Sequence, residues 1–441
     1  MVVEKVEDVA SMARRARRAA RQLATLATAR RNEALLAAAA ALEARGAQIL
    51  EANARDCAAA QAAVEAGRMS RAMFKRLQLS AQGIAEMVAR VRDVARLDDP
   101  LNRELAVTEL DDGLVLRKVS CPLGVVGVIF EARPEVVSQV AALAIKSGNA
   151  VLLKGGSEAA CSNETLAGIW RDALARFPDV PADSVTLLRT REDVEKMLAL
   201  DGEIDLIIPR GSREFVSYVV AKSRIPVLGH GEGICHVYVD RAADLSKALA
   251  VAFDAKVQYP AVCNAVETLL VHSEIAQRFL PEMIARFRAA GVEVRGCPRT
   301  VALAQRGDVL PAREEDWATE YSDLIISIKV VESLDDAIEH IERYGSRHTE
   351  SIITEDPMAA MRFMDEVDAA GVYHNVSTRF ADGFRYGFGA ELGISNAKLH
   401  ARGPVGLEGL TTYKYKLIGG GHTVAPYCNG ERTFKHRKLK G

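Results

Sequence analysis

The stretch Val125-Val126-Gly127-Val128-Ile129-Phe130 is six apolar residues set between Gly124 and Glu131. A run of that length, rich in β-branched residues, predicts a strand buried on both faces. A helical pattern over 134–147 follows. Then Ala150-Val151-Leu152-Leu153-Lys154 predicts a second strand, which runs into Gly155-Gly156-Ser157-Glu158. A strand, a helix and a strand with no hairpin turn between them form a parallel crossover. Working outward, the alternation continues as helix 158–176, strand 184–188, helix 191–200, strand 204–208, helix 212–222 and strands 225–228 and 236–239. It resumes as helix 246–257, strand 266–272, helix 274–290, strands 292–294 and 324–330, helix 334–343 and strand 350–354. The fold class predicted is α/β: two doubly wound parallel-sheet domains, the first ending near residue 255.

Upstream, Ala, Leu, Arg and Glu dominate, and helices are predicted over 5–28, 31–45, 47–66 and 70–96. Arg14, Arg15, Arg17 and Arg18 resemble a transit peptide, but Glu4, Glu7, Asp8 and Glu33 interrupt the basic run. Transit peptides are acid-poor, so a cytoplasmic chain is expected. Asp98-Asp99-Pro100 ends the helical region. Strands 104–110 and 114–119 then flank Asp111-Asp112-Gly113, a hairpin signal. The strand pattern over 410–418 is, like this hairpin, a candidate edge strand, and exposed edges tend to pair. The basic segment 419–441 is either a tail or a further interface strand.

Composition narrows the function. The chain has 441 residues, enough for two or three domains and a large core. Its formal charge is −2, which argues against nucleic-acid binding. Its longest apolar runs, 34–42 and 123–130, fall well short of the roughly 18 residues a membrane helix needs. Seven scattered cysteines, 57, 121, 161, 235, 263, 297 and 428, include no CxxC pair, so a reducing compartment and no zinc or other metal site are expected.

Four places carry candidate chemistry. Cys263, in Gln258-Tyr259-Pro260-Ala261-Val262-Cys263-Asn264-Ala265, falls in a connection between helix and strand, where a thiolate can be presented. A buried structural thiol is the competing reading. The turn Lys154-Gly155-Gly156-Ser157-Glu158 ends a strand, where parallel sheets bind ligands, although an ordinary turn has the same composition. In Ile207-Ile208-Pro209-Arg210-Gly211-Ser212 a strand meets a helix N-terminus, which suits a pyrophosphate; Ser212 can equally be an N-cap. The glycine-dense region 371–412 holds His374, Asn375, Arg385, Glu391, His400 and Arg402, and reads as a binding loop system or a solvated surface.

In this order, these motifs resemble the aldehyde dehydrogenase superfamily, and more closely its gamma-glutamyl phosphate reductases (glutamate-5-semialdehyde dehydrogenases). The most specific stretches are Cys121-Pro122-Leu123-Gly124-Val125-Val126-Gly127-Val128-Ile129-Phe130-Glu131-Ala132-Arg133-Pro134, Lys146-Ser147-Gly148-Asn149-Ala150-Val151-Leu152-Leu153-Lys154-Gly155-Gly156, Ile207-Ile208-Pro209-Arg210-Gly211, the 258–265 loop and Lys398-Leu399-His400-Ala401-Arg402-Gly403-Pro404. The resemblance implies an NADP-binding domain at 1–103 and 121–255, a catalytic domain at 256–400, and an oligomerisation arm at 104–120 with a C-terminal segment at 401–441. It implies that Cys263 is a thioester-forming nucleophile, with Asn264 beside it. Lys154, Gly155, Gly156, Ser157 and Glu158 would meet the adenosine ribose or its phosphate, Gly211 and Ser212 the pyrophosphate, and Glu320 the nicotinamide ribose. Asn375 would line the site, and Arg133, Arg402 and Arg385 are expected to bind substrate phosphate or carboxylate.

Two departures from oxidising relatives sharpen this. Their oxyanion-binding Asn is replaced by Glu131-Ala132-Arg133-Pro134, and Leu228-Gly229-His230-Gly231-Glu232-Gly233 has no Glu at the aligned position of their water-activating base, although Glu232 or His230 could stand in. The resemblance therefore implies NADPH-dependent reduction of L-glutamyl 5-phosphate to L-glutamate 5-semialdehyde and phosphate, the second step of proline biosynthesis from glutamate. The alternatives are a hydrolytic NAD-dependent semialdehyde dehydrogenase, a reductase of another acyl phosphate, and a silent nucleotide-binding scaffold. Expected partners are a second copy, as a homodimer or dimer of dimers, and a separate glutamate kinase.

Overall fold

The computed structural model describes residues 8–229 and 232–440, and within them every side chain but those of Ala72 and Arg213. The chain separates into two units: unit 1 is Met1–Leu228, Phe388–Leu392 and Val405–Gly441, and unit 2 is Gly229–Gly387 and Gly393–Pro404. The division falls at Leu228 and not near 255. The strand Cys235–Val239 pairs in parallel with Val266–His272 and Thr349–Ile353, which draws it and the helix Leu245–Val257 into the second sheet.

Unit 1 contains a parallel sheet in the order Val185–Leu187, Ala150–Gly155, Val125–Phe130, Leu206–Arg210. The expected strand 225–228 shrinks to one bridge, Ile207 to Val227. Helix Val9–Leu23 lays Val9, Ala13, Ala16 and Ala20 against Val125, Ile129, Leu152 and Ile207. Alanines on the packed stripe let helix and sheet approach closely while its arginines stay at the rim. The helix expected over 70–96 breaks into Arg71–Leu77 and Ala81–Arg96. Asn53 takes the Leu79 N–H at 2.8 Å and donates to the Leu77 carbonyl at 2.8 Å, and Ser80 N-caps the second helix.

The arm is an antiparallel sheet in the order Thr411–Ile418, Leu114–Pro122, Glu104–Asp111, Arg437–Lys440. Its hairpin closes on Asp112 and Gly113, the glycine at φ +70° where an L side chain is strained. The basic C-terminal segment, left open by its sequence, ends as a strand registered on Val107–Glu109. The opposite edge, Thr411–Ile418, is exposed from Thr412 onward.

Unit 2 is built on seven parallel strands in the order Leu310–Pro311, Glu293–Gly296, Ile325–Val331, Val266–His272, Cys235–Val239, Thr349–Ile353, Gly371–His374. Alternation sorts the faces. Val237, Val239, Leu269 and Val271 pack with Ala252 and Phe279 of helices Leu245–Val257 and Ser273–Ala289. Tyr238, Leu270 and Ile352 pack with Ile341 and Phe363 of helices Leu334–Tyr344 and Pro357–Glu366. Both faces are covered, as parallel strands require. The segments leading into Cys235–Val239, Val266–His272 and Ile325–Val331 share one edge of this sheet, and they carry Gly233, Cys263 and Glu320.

Candidate active site

Cys263 lies half-buried in the loop between helix Leu245–Val257 and strand Val266–His272. Gly233 backs directly onto it: a Cβ at Gly233 would stand 2.0 Å from the Cys263 carbonyl oxygen. Only glycine permits that approach. The Gly233 N–H donates to Glu320 Oε2 at 3.0 Å, and the Ser322 hydroxyl reaches Glu320 Oε1 at 3.4 Å. Burial raises the Glu320 carboxyl, and Glu232 adds to the rise. The structure thus joins Cys263 and Glu320 through one glycine.

Behind the loop the charges are buried and committed. Lys256 and Glu267 flank its two ends and meet at 2.6 Å, both fully buried. Burial pushes Glu267 up to about 7 against the pull of Lys256, and pushes Lys256 down. Glu267 Oε1 also accepts the Ser322 N–H at 3.3 Å, tying the Cys263 loop to the Glu320 segment. The thiol of Cys235 donates to the Cys263 carbonyl at 3.2 Å; burial drives that thiol well up, so Cys235 stays protonated while holding the loop. Next to it, Glu350 takes both the backbone N–H and the Nδ1 of His236, at 2.6 and 3.0 Å.

Asn264 is buried. Its Nδ2 donates to the Ala381 carbonyl at 2.7 Å, so the side-chain amide braces the loop. Asn375 stands elsewhere. Its amide bonds both ways with Thr354 at 3.0 Å, on the opposite edge of the sheet from Cys263. At φ +57° it turns the chain back, and Val376 then accepts from the Ser351 hydroxyl at 2.6 Å. That reversal returns residues 378–381 to the Cys263 loop and brings in Arg379, which sequence reasoning passed over. Arg379 Nε donates to Gln258 Oε1 at 2.9 Å. Burial lowers its guanidinium, Arg385 lowers it further, and Asp254, Asp382 and Cys263 oppose the fall.

Of the expected arginines, Arg385 is exposed and bonds the Arg379 carbonyl. Arg402 pairs with Asp368 at 2.9 Å, alongside Lys398 at 2.7 Å. Arg133 is half-buried in unit 1, close enough to the Glu135 carboxyl to favour its charge. Of the two residues that could replace a hydrolytic base, Glu232 acts on Glu320, and His230 lies outside the described residues, as does Gly231.

In unit 1, register aligns Phe130 with both Gly155 and Arg210, so three turns sit side by side at the carboxyl edge. Carboxylates lie over Gly156 and Gly211: a Cβ would stand 2.0 Å from that of Glu158 and 2.5 Å from that of Glu131. Glu158 accepts the Ala132 N–H at 2.6 Å, which couples the first two turns. Lys154 is 8% exposed and bonds the Gly155 carbonyl; burial lowers its ammonium, while Glu158 and Asp193 raise it. Ser157 is exposed, opening the short helix Ser157–Ala159. Ser212 caps helix Arg213–Lys222 through the Phe215 N–H at 3.3 Å. Its own N–H faces Glu131 Oε2 at 3.2 Å, so a carboxylate already occupies the anion-favouring end of that helix. Bare backbone, a helix N-terminus and a lysine at neighbouring strand ends fit a dinucleotide phosphate and ribose. Unit 1 also holds a cavity of about 220 Å³ bordered by Arg76, Arg90, Glu135 and Gln139, residues the sequence did not single out.

The sequence pattern of the aldehyde dehydrogenase family matches residues 3–300. The chain is 58% identical over 411 residues to the gamma-glutamyl phosphate reductase of Synechococcus sp. strain JA-3-3Ab, covering 93% of this chain and 90% of that one. It is 54% identical over 412 residues to the enzyme of that name from Natronomonas pharaonis, covering 93% of each. It superposes on the crystal structure of gamma-glutamyl phosphate reductase from Thermotoga maritima with a TM-score of 0.90 and 43% identity, covering 95% of this chain and all of that one.

Proposed function

The chain belongs to the aldehyde dehydrogenase family, and from that premise we propose that it reduces L-glutamyl 5-phosphate to L-glutamate 5-semialdehyde and phosphate, with NADPH as reductant. The observation that carries this reading is the state of the groups around Cys263. The carboxylates of Glu320 and Glu267 are engaged by Gly233 and Lys256, whereas a guanidinium stands over the loop. Such surroundings favour exchange with an anion over activation of water.

The Cys263 thiolate attacks the acyl carbon: a C–S bond forms, the C–O bond to phosphate breaks, and phosphate leaves with the electron pair. The Cys263 N–H holds the tetrahedral oxyanion. The nicotinamide, when bound, supplies the hydride that reduces the thioester. Collapse of the Cys263 thiohemiacetal restores the thiolate and releases the semialdehyde. The Gly211–Ser212 turn and Lys154 would hold the dinucleotide, and Lys154 supports NADPH over NADH because its ammonium can pair with a 2′-phosphate.

The exposed strand Thr411–Ile418, with Tyr413, Tyr415 and Leu417 outward, supports pairing with a second copy in a homodimer or dimer of dimers. No described helix is long and apolar enough to cross a membrane. A separate glutamate kinase in the same cytoplasm would supply the labile acyl phosphate. The test is to run the reaction from semialdehyde with NADP. Turnover should require phosphate; a phosphate-independent rate overturns the reading in favour of a hydrolytic dehydrogenase.

A further inference from the structure

We propose that Arg379 is a catalytic residue of the phosphate step: its guanidinium holds the phosphate beside Cys263 while the acyl C–O bond breaks and, in reverse, while phosphate attacks the thioester. The inference rests on the acyl-phosphate reading above and assigns its anion site.

The first argument is placement. Arg379 lies in the short helix Thr378–Phe380, and its Nε bonds Gln258, five residues before Cys263. Two residues on, the Ala381 carbonyl holds Asn264, the residue directly after Cys263. Residues 379–381 are therefore anchored to the thiol loop on both sides of the nucleophile. Arg379 is 7% exposed and its carbonyl is held by the Arg385 guanidinium, so the side chain has little freedom to swing away.

The second argument is chemical. With Nε committed to Gln258, the two terminal nitrogens remain, and they form the fork that matches two oxygens of a phosphate. Asp254 and Asp382 favour the charge from nearby, but among the described residues no carboxylate pairs with Arg379 within 4.0 Å. A buried cation without a close counter-ion is costly unless an anion completes it. Two anions come and go at this loop, the thiolate and the phosphate, and a forked donor serves both. By contrast, the Arg402 guanidinium already has Asp368 as its partner.

The reaction run from semialdehyde and NADP tests this, with phosphate and semialdehyde varied separately. Arg379→Met and Arg379→Lys should raise the KM for phosphate on the order of 10- to 100-fold, with a smaller change in the KM for semialdehyde. Alkylation of Cys263 by iodoacetamide should shift to higher pH in Arg379→Met, and added guanidinium ion should restore part of its phosphate-dependent rate. Circular dichroism identifies a variant that fails to fold, and Arg379→Lys then decides, because it keeps the charge and loses the fork. A phosphate KM within twofold of the parent in a folded variant overturns the assignment. The phosphate requirement of the unmodified enzyme is measured in the same series, so a failure of the acyl-phosphate reading shows there first.

Discussion

In unit 1 the turns proposed to meet the dinucleotide are short, partly exposed and made largely of backbone: Gly155-Gly156-Ser157 and Gly211-Ser212. In unit 2 the loop around Cys263 is held by buried and half-buried side chains: Lys256 against Glu267, Glu320 on Gly233, Cys235 on the Cys263 carbonyl and Arg379 on Gln258. Binding a dinucleotide asks mainly for N–H groups and one well-placed cation, which strand ends provide cheaply. A reacting thiolate asks for a fixed field, which costs desolvation and survives only inside a braced network. Substitutions should therefore separate the two regions: affinity in the first, rate and stability in the second.

The sharpest separation is Cys263→Ala. Turnover should fall by on the order of 10⁴-fold or more, while NADPH binding measured by fluorescence titration stays within about threefold. A comparable loss of both would show that the two regions do not act independently.

Next in size is the ion pair at the base of the loop. Glu267→Ala leaves Lys256 buried without its partner and should cost about 3–5 kcal/mol in urea unfolding. Glu267→Gln keeps the shape and tests the charge. A carboxyl raised to about 7 binds its proton more tightly in the folded chain than in the unfolded one. Its stability contribution is full below the unfolded value near 4.3 and is lost as pH rises through about 7. The parent should therefore lose stability from pH 5 to pH 8 more steeply than Glu267→Gln. Equal slopes would mean that Glu267 titrates alike in both states.

Third, Lys154→Met should raise the KM for NADPH on the order of 10- to 100-fold, the loss of a charge-assisted contact, and leave the KM for the acyl phosphate unchanged. If the change were the same for NADH, Lys154 would be reading something other than the 2′-phosphate.

How much of this was legible depended on whether the signal was local. Strand Val125–Phe130 could be read to the residue because it is an unbroken apolar run between Gly124 and Glu131. The break at Gln78–Ser80 could not, because it depends on Asn53, 26 residues from Leu79. Cys263 and Glu320 came from motif order. Arg379 sat inside a region already marked as functional, yet Arg385 and Arg402 drew the attention. Only its through-space bond to Gln258, and the bond of its neighbour Ala381 to Asn264, set it apart. A clue to the ion pair was present: Glu267 puts a carboxylate in a strand pattern eleven residues after Lys256, and a charge in a buried strand calls for a partner. The short edge strands Gly371–His374 and Arg437–Lys440 carry too few residues for any period to show.

The smallest predicted effect concerns Glu131. Its Oε2 accepts the Ser212 N–H at 3.2 Å, at the N-terminus of helix Arg213–Lys222, where a pyrophosphate would place its own negative charge. The carboxylate gains from the same helix end that would attract the ligand, so the two compete. Glu131→Gln keeps an acceptor oxygen for Ser212 and removes the charge. It should tighten NADPH about two- to fivefold at low salt, and the gain should shrink as ionic strength rises. Because Gly211 is packed against the same carboxylate, the variant also reports whether Glu131 shapes the turn: a Cβ there would meet it at 2.5 Å. Weaker binding in Glu131→Gln would mean that the charge orders this turn for the dinucleotide. Even unit 1 would then rely on a placed side chain, and the contrast between an open backbone site and a braced thiol site would narrow.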